Sequence, residues 1–200
     1  MEVKPDSTIL DPTAAYRGIW SAEGKQAEEI LFIDIETELD IKPDLITDCT
    51  QLDFPNGRFR QVFFDPPHRY GHNRNTGIHQ TPSKQLQKEK WGNTGAYYGF
   101  DKYKTKRQLM DFIYKAQQEF YRVTDENGVL WLKWCEVAVE LSDIIKLFTN
   151  WKQLIKFEVA YQGRITNNRT WWIMFIKNRE AAAYQSSLTI DTKQLRTEQE

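Results

Sequence analysis

The sequence predicts an α/β fold in which a mostly parallel β-sheet carries helices on both faces and has an antiparallel strand near its C-terminal end. Along the first third of the chain, short apolar runs recur without polar alternation, which is typical of parallel strands buried on both sides. Residues 106–122 place apolar side chains at helical spacing and predict an amphipathic helix that packs on the sheet. The last two apolar runs, 155–161 and 170–177, follow each other closely enough to pair antiparallel.

Length and composition limit the classes to which the chain can belong. Its 200 residues suit one domain, which we assign to residues 1–178, followed by a polar tail at 179–200. The net charge of -1 gives no global signal for nucleic acid or membrane, so any such signal must be local. We predict a cytoplasmic protein with reduced thiols. The two cysteines are far apart in the sequence, and we identify no signal peptide and no apolar run long enough to span a bilayer. A homodimer and a partner subunit both stay open.

Each of the first four predicted strands leads into an aspartate. The strands cover residues 8–11, 30–34, 44–48 and 61–64, and the aspartates are Asp11, Asp34, Asp48 and Asp65. Ligands of parallel sheets bind beyond the carboxyl ends of the strands, so this edge is the predicted site. The remaining elements are a helix within 14–29, a turn at 125–128, a fifth strand at 128–134 and a second helix at 137–150.

The fourth strand ends in the sequence Asp65-Pro66-Pro67-His68. The first proline ends the strand because it has no N–H for the hydrogen-bond ladder, and both prolines restrict the backbone. The Asp65 carboxylate, the Pro66 carbonyl and the His68 ring should therefore leave the strand in a preset geometry, as two acceptors beside a flat ring. The alternative interpretation is a strand end that merely contains a Pro-Pro turn.

Residues 69–104 form a long segment with little periodicity ahead of the amphipathic helix. From Arg69 to Arg107, nine lysines and arginines stand against two acids, and aromatic residues are interleaved. Basic residues with stackable rings can grip a phosphate backbone and an unstacked base, so we predict a substrate-binding loop for nucleic acid. A solvated charged loop is the alternative. The three histidines at its start have no placed carboxylate or thiolate partner, and we expect no metal site.

The turn resembles a known signature. Asp65-Pro66-Pro67-His68 is similar to the [Asp/Asn/Ser]-Pro-Pro-[aromatic] motif of methyltransferases that act on exocyclic amino groups of bases, chiefly adenine-N6 and cytosine-N4. The resemblance covers about residues 5–178. It is particularly close to small DNA methylases of phages and prophages, which carry a DPPH turn and a Lys-Trp strand like Lys133-Trp134.

The resemblance implies a Rossmann-like class I methyltransferase sheet and S-adenosyl-L-methionine as cofactor. Asp11-Pro12-Thr13-Ala14-Ala15 looks like the family's Asp-Pro-x-x-Gly loop, which cradles the methionine part of the cofactor. Asp34 stands where the family's acid binds the ribose hydroxyls, and Asp48 matches the usual contact to the adenine ring. Ile35 and Cys49 follow these two acids and complete the expected cofactor-binding residues.

For the substrate, the resemblance implies that Asp65 and the Pro66 carbonyl accept the N–H bonds of the target amino group, while His68 stacks on the extruded base. The expected catalytic residues are Asp65, Pro66, Pro67 and His68. The expected substrate-binding residues are Arg69, Tyr70, Arg74, Lys133 and Trp134.

The chain departs from the family at two places. Ala15 and Tyr16 stand where glycine is normally wanted for an unusual φ angle, and His68 replaces the usual Tyr, Phe or Trp. The predicted function is methyl transfer to an amino group of a DNA base. The open alternatives are transfer to RNA or to a protein glutamine amide, and a catalytically inactive nucleic-acid-binding or partner subunit of the same fold.

Overall fold

A computed structural model describes residues 6–37, 39–71, 102–159 and 168–178. The predicted mostly parallel sheet with one antiparallel strand is confirmed. The strands are β1 (Ile9–Asp11), β2 (Ile30–Asp34), β3 (Leu45–Ile46), β4 (Phe59–Phe64), β5 (Thr124–Cys135), β6 (Trp151–Glu158) and β7 (Thr170–Lys177). The helices are α1 (Lys106–Val123), α2 (Leu141–Ile145) and a 3₁₀ helix at Gly24–Gln26.

The seven strands form a single sheet in the order β3-β2-β1-β4-β5-β7-β6. The pairs from β3 to β5 are parallel, and β7 runs antiparallel to both of its neighbours. The chain moves outward from β1 to β3 and then returns to place β4 on the other side of β1. Such a switch in strand order opens a crevice at the carboxyl ends of the strands, which is where ligands of this architecture bind.

One face of the sheet is covered by α1. The helix begins at a capping box, in which the Thr105 hydroxyl accepts the Gln108 N–H and the Gln108 side chain accepts the Thr105 N–H. Its apolar stripe is fully buried against the sheet, and Phe120 meets Phe64 edge to face with ring centroids 4.8 Å apart. The predicted helix is therefore confirmed, and its buried side chains pack against β4.

Polar side chains of α1 hydrogen-bond to the segment that connects β3 to β4. The Glu119 carboxylate accepts the backbone N–H of Leu52 at 2.8 Å. Arg122 pairs with Glu119 at 2.7 Å and donates to the carbonyls of Leu52 and Phe54. These bonds satisfy backbone N–H and carbonyl groups of an irregular connection. The segment between β3 and β4 therefore needs no helix.

The predicted helix within residues 14–29 is wrong. The segment consists of turns around the 3₁₀ helix, because Ala15 and Arg17 adopt positive φ angles of 43° and 56°, which interrupt a right-handed helix. Arg17 holds the segment to the sheet: its guanidinium donates to the Lys25 carbonyl and lies 3.8 Å from the centroid of the Phe32 ring. Side chains of this segment, including Trp20, pack on the second face of the sheet with Phe32.

Further boundaries differ from the sequence predictions. The strand predicted at 155–161 is β6, which begins four residues earlier, at Trp151. The turn expected at 125–128 lies within β5, where the Asp125 carboxylate accepts the Asn127 N–H beside an irregular pairing with β4. The helix expected at 137–150 is only α2, since the Glu136 side chain accepts the Leu141 N–H and begins the helix late. Among the described residues, no helix has the length and apolarity to cross a bilayer, and no three potential ligands cluster in a way that could hold a metal ion.

Candidate functional site

A cavity of about 560 Å³ opens at the carboxyl ends of β1 to β4. Its walls come from the loop after β1, the ends of β2 and β3, the Pro-Pro turn after β4, and the start of α1. Of the predicted site residues, it brings together Asp11, Pro12, Thr13, Ala15, Asp34, Ile35, Asp48, Cys49, Asp65, Pro66 and Pro67. Residues far apart in sequence thus share one wall because their strands are neighbours.

Hydrogen bonds between strand ends fix the loop after β1. The Asp34 Oδ2 atom accepts the Ala15 N–H at 2.9 Å, and its Oδ1 atom accepts the Glu36 N–H at the same distance. The Thr13 hydroxyl accepts the Asp65 N–H at 3.2 Å. The loop is consequently tied to both the β2 end and the Pro-Pro turn, which gives the cavity a defined rim.

Asp11 lies at the base of the cavity with 1 % of its surface exposed. The Trp20 indole N–H donates to its Oδ2 atom at 2.7 Å, and the Thr13 N–H donates to Oδ1 at 3.3 Å. Burial is the largest influence and raises the pKa of Asp11 to about 7, with the charges of Asp65 and Asp34 acting in the same direction. Asp11 is therefore a proton-binding group at neutral pH in the floor of the site.

The described lining of the cavity is strongly acidic. The lining contains one ammonium group, that of Lys102, and Lys133 outside the lining compensates one of the acids, Asp65. The five acids are Asp11, Asp34, Glu36, Asp48 and Asp65. Like charges gathered in a partly desolvated cleft repel one another unless a cation or a proton compensates them. The wall therefore favours a ligand that carries positive charge.

Asp65 is held from two sides. Its Oδ2 atom lies 2.7 Å from Lys133 Nζ, and its Oδ1 atom lies 3.2 Å from His68 Nε2. Burial alone would raise the pKa of Asp65, but the His68 hydrogen bond and the Lys133 charge outweigh it, so the pKa falls below its usual value. Asp65 is thus ionised at neutral pH.

His68 does not line the cavity, in contrast to the predicted stacking role. Only 9 % of its surface is exposed, and its Nδ1 atom accepts the Cys135 N–H at 3.4 Å. The ring packs edge to face on Trp134, with centroids 5.0 Å apart. The enclosed imidazole packs against the Pro-Pro turn on the side away from the cavity. Neither face of its ring is accessible for a base to stack on.

Trp134 also differs from its predicted role as a substrate-binding residue. Its side chain is fully buried and its indole N–H donates to the Val139 carbonyl at 3.0 Å. Arg69 and Tyr70 are half-buried after the turn, and Tyr70 packs against the main core. Arg74 lies outside the described residues, as does the segment 72–101 of the predicted loop.

Sequence reasoning missed an aromatic wall formed by Tyr103 and Phe112. Their ring planes are inclined by 29° with centroids 5.0 Å apart, and both residues line the cavity, as does Cys49. Phe112 lies within the predicted helix 106–122, and Tyr103 lies within the predicted loop 69–104. Their position in the sequence could have indicated them. Both lie near the N-terminal end of α1, where the chain returns to the carboxyl edge of the sheet.

No protein-family model matches the chain, and no curated protein matches it either. Among solved structures, the chain is similar to the PH0226 protein from Pyrococcus horikoshii OT3, with a TM-score of 0.51 and 10 % identity over 85 % of this chain and 81 % of that one. The likeness shows the fold: a Rossmann-like sheet of the kind predicted from the methyltransferase resemblance.

Two further solved structures give TM-scores below 0.5. A S-adenosylmethionine-dependent methyltransferase from Clostridium acetobutylicum ATCC 824 gives 0.47, with 10 % identity over 86 % of this chain and 85 % of that one. The N-methyltransferase NodS from Bradyrhizobium japonicum WM9 gives 0.45, with 11 % identity over 84 % of each chain.

Proposed function

We propose that this chain is a S-adenosyl-L-methionine-dependent methyltransferase that acts on an exocyclic amino group of a base in DNA, with adenine-N6 favoured over cytosine-N4. The observation that carries the proposal is that Asp65 and Pro66 share one cavity with the acidic ends of β1, β2 and β3. A cofactor region and an amino-group acceptor are thereby brought to the same place. The sequence resemblance of the turn supplies the substrate class.

The residues present fit this cofactor. The cavity volume lies within the roughly 300–1,000 Å³ of small-molecule sites. Asp34 would hold the ribose hydroxyls, the loop from Pro12 to Ala15 the methionine part, and Ile35 and Cys49 with the nearby aromatic wall the purine ring. The acidic lining suits a ligand that carries a sulfonium and an ammonium group. When bound, S-adenosyl-L-methionine supplies a methyl group already activated for transfer by the positive sulfur.

The protein's contribution to the reaction is positioning. The nitrogen of an aromatic amine is a weak nucleophile because its lone pair is delocalised into the ring. If the Asp65 carboxylate and the Pro66 carbonyl each accept one N–H, the amino group is oriented and its lone pair is directed away from the two acceptors. The clamp of Lys133 and His68 keeps Asp65 ionised and in place for this purpose. A Pro-Pro turn adds rigidity, since its backbone has few alternative conformations.

Basic residues before and within the first turn of α1 support a nucleic-acid substrate. Lys102 lines the cavity, and Lys104, Lys106 and Arg107 follow it as exposed residues. Lys106 pairs with Asp143 at 2.8 Å, and Arg107 lies 3.9 Å from Asp111. Positive charge beside an acidic cavity can hold a phosphate backbone while the cavity takes an extruded base. The second candidate is RNA, which presents the same backbone charge. A protein glutamine amide offers the same amino-group chemistry but has no backbone phosphates for the basic residues to contact.

The experiment is transfer of labelled methyl groups to separate pools of random-sequence DNA, RNA and protein. We expect DNA to take up the label, with Asp65→Asn losing roughly 10- to 100-fold or more of the rate, because one charge-assisted acceptor is removed. Asp53→Asn, at an exposed residue outside the cavity, is the matched control and should retain the wild-type rate.

The outcomes separate the candidate functions. Label in RNA alone would reassign the substrate, and label in protein alone would favour the amide. A folded protein that labels none of the three pools would leave a catalytically inactive subunit as the better account. Undiminished transfer by Asp65→Asn would exclude the proposed role of the turn.

A further inference from the structure

Lys133 and Asp65 occupy matching places on neighbouring parallel strands. The last register pair between β4 and β5 is Phe64 with Leu132, and each of the two charged residues follows directly. Their side chains are 20 % and 22 % exposed, so both reach the open end of the sheet while much of each is covered. Asp65 lines the cavity and Lys133 does not, so the ion pair joins the cavity wall to the end of β5.

The two oxygens of Asp65 have different surroundings. Oδ1 is buried and faces His68 Nε2 at 3.2 Å. Oδ2 lies 2.7 Å from Lys133 Nζ, and the Asp65 side chain as a whole is 22 % exposed. A substrate that reaches this carboxylate meets an acceptor oxygen and a cationic N–H donor side by side.

We infer that Asp65 Oδ2 and Lys133 Nζ together read a planar amino group that has a hydrogen-bond acceptor next to it. The amino N–H would be donated to Oδ2, and the neighbouring acceptor would accept from Nζ. This inference rests on the proposed function and adds to it the recognised edge of the substrate. It gives Lys133 a direct part in specificity.

The chemistry of the bases fits such a pair. In adenine, the N6 amino group is flanked by N1 on one edge and N7 on the other, and both are acceptors. In cytosine, the N4 amino group is flanked by N3. An ammonium has three N–H donors, so Lys133 can contact Asp65 and an acceptor of the base at the same time.

The same pair selects against other amines. An alkylammonium, such as a lysine side chain, brings no neighbouring acceptor and places its positive charge against that of Lys133. Discrimination of this kind depends on an unfavourable contact as much as on a favourable one. The pair would therefore disfavour alkylamines as substrates.

The test uses single-stranded random-sequence DNA, so that altered base pairing has no influence. In two modified pools, every adenine is replaced by 1-deazaadenine or by 7-deazaadenine, each of which lacks one ring acceptor. Wild-type protein should label one of these pools roughly 10- to 100-fold more slowly than unmodified DNA, the effect of losing a charge-assisted hydrogen bond. If the label in unmodified DNA is on cytosine, 3-deazacytosine is the corresponding probe.

Lys133→Met is the matched variant, because it keeps most of the side-chain length and removes the donor. It should label unmodified DNA slowly and no longer distinguish the modified pool. Lys115→Met, at an exposed position on α1, should discriminate as wild type does.

Equal labelling of all pools by wild-type protein would overturn the inference while leaving the proposed function intact, and so would retained discrimination in Lys133→Met. No label in unmodified DNA from wild-type protein would instead remove the proposed function, and this inference with it.

Discussion

The Asp34 carboxylate at the end of β2 accepts the backbone N–H of Ala15, in the loop after β1, at 2.9 Å. This bond joins two parts of the cavity wall that the sequence associates only through the methyltransferase resemblance. It also holds Ala15 at a φ angle of 43°, a left-handed conformation that non-glycine residues rarely adopt. The loop therefore keeps a geometry that favours glycine although the sequence has none there.

Replacing Ala15 with glycine should stabilise the protein. The left-handed conformation costs a non-glycine residue about 1–2 kcal/mol, and the extra chain entropy of glycine offsets part of that gain. We expect the free energy of unfolding to rise by about 0.5 kcal/mol in urea titrations. Ala14→Gly is the control, since Ala14 is buried and has no positive φ; it should lower the free energy by about 1 kcal/mol. A loss of stability in Ala15→Gly would show that the backbone there is not strained.

Asp11 should make stability fall as pH rises from about 4 to about 7. Its pKa in the folded state is about 7 and its ordinary value is 3.8, so the folded protein keeps a proton that the unfolded chain has released in this window. The stabilising contribution is complete below pH 4 and is lost as pH approaches 7, with a slope of up to about 1.4 kcal/mol per pH unit. Asp11→Asn should lack this slope. Parallel stability curves for the two proteins, measured by urea unfolding, would rule out a raised pKa.

His68 should behave as a buried structural residue. Replacing it with phenylalanine removes the acceptor of the Cys135 N–H and the donor that faces Asp65. We expect the free energy of unfolding to fall by about 1–3 kcal/mol, the cost of leaving buried polar groups unpaired. Tyr114→Phe, at a side chain that is 44 % exposed, should change it by less than about 0.5 kcal/mol. Unchanged stability with altered substrate binding would restore the stacking role predicted from sequence.

Much of the fold was predictable because the spacing of apolar residues along the sequence indicates which side chains are buried. β2 and β7 have the predicted bounds, and α1 differs from its prediction by a single residue. The segment 14–29 failed for a different reason. Its conformation depends on Arg17, whose contacts with Lys25 and Phe32 lie 8 and 15 residues along the chain, so helical propensity carries no signal for them.

The predicted cofactor-facing residues largely converge because each follows a strand, and strand ends meet at one edge of a parallel sheet. Residues of β5 were harder to place. Lys133 and Trp134 are adjacent in sequence but point to opposite faces of the strand, so one reaches Asp65 while the other is fully buried. From the sequence, both residues were predicted to bind the substrate. In the sheet, Lys133 contacts Asp65, whereas Trp134 packs in the core.

Calorimetric titration with S-adenosyl-L-methionine and with its demethylated product tests whether the acidic cavity binds this cofactor. We predict saturable one-to-one binding to the wild-type protein. Asp34→Asn should weaken it by roughly tenfold or more, because a charged acceptor for the ribose hydroxyls is lost. Glu28→Gln, at an exposed acid outside the cavity, should leave it unchanged. A folded wild-type protein that binds neither compound would contradict the account.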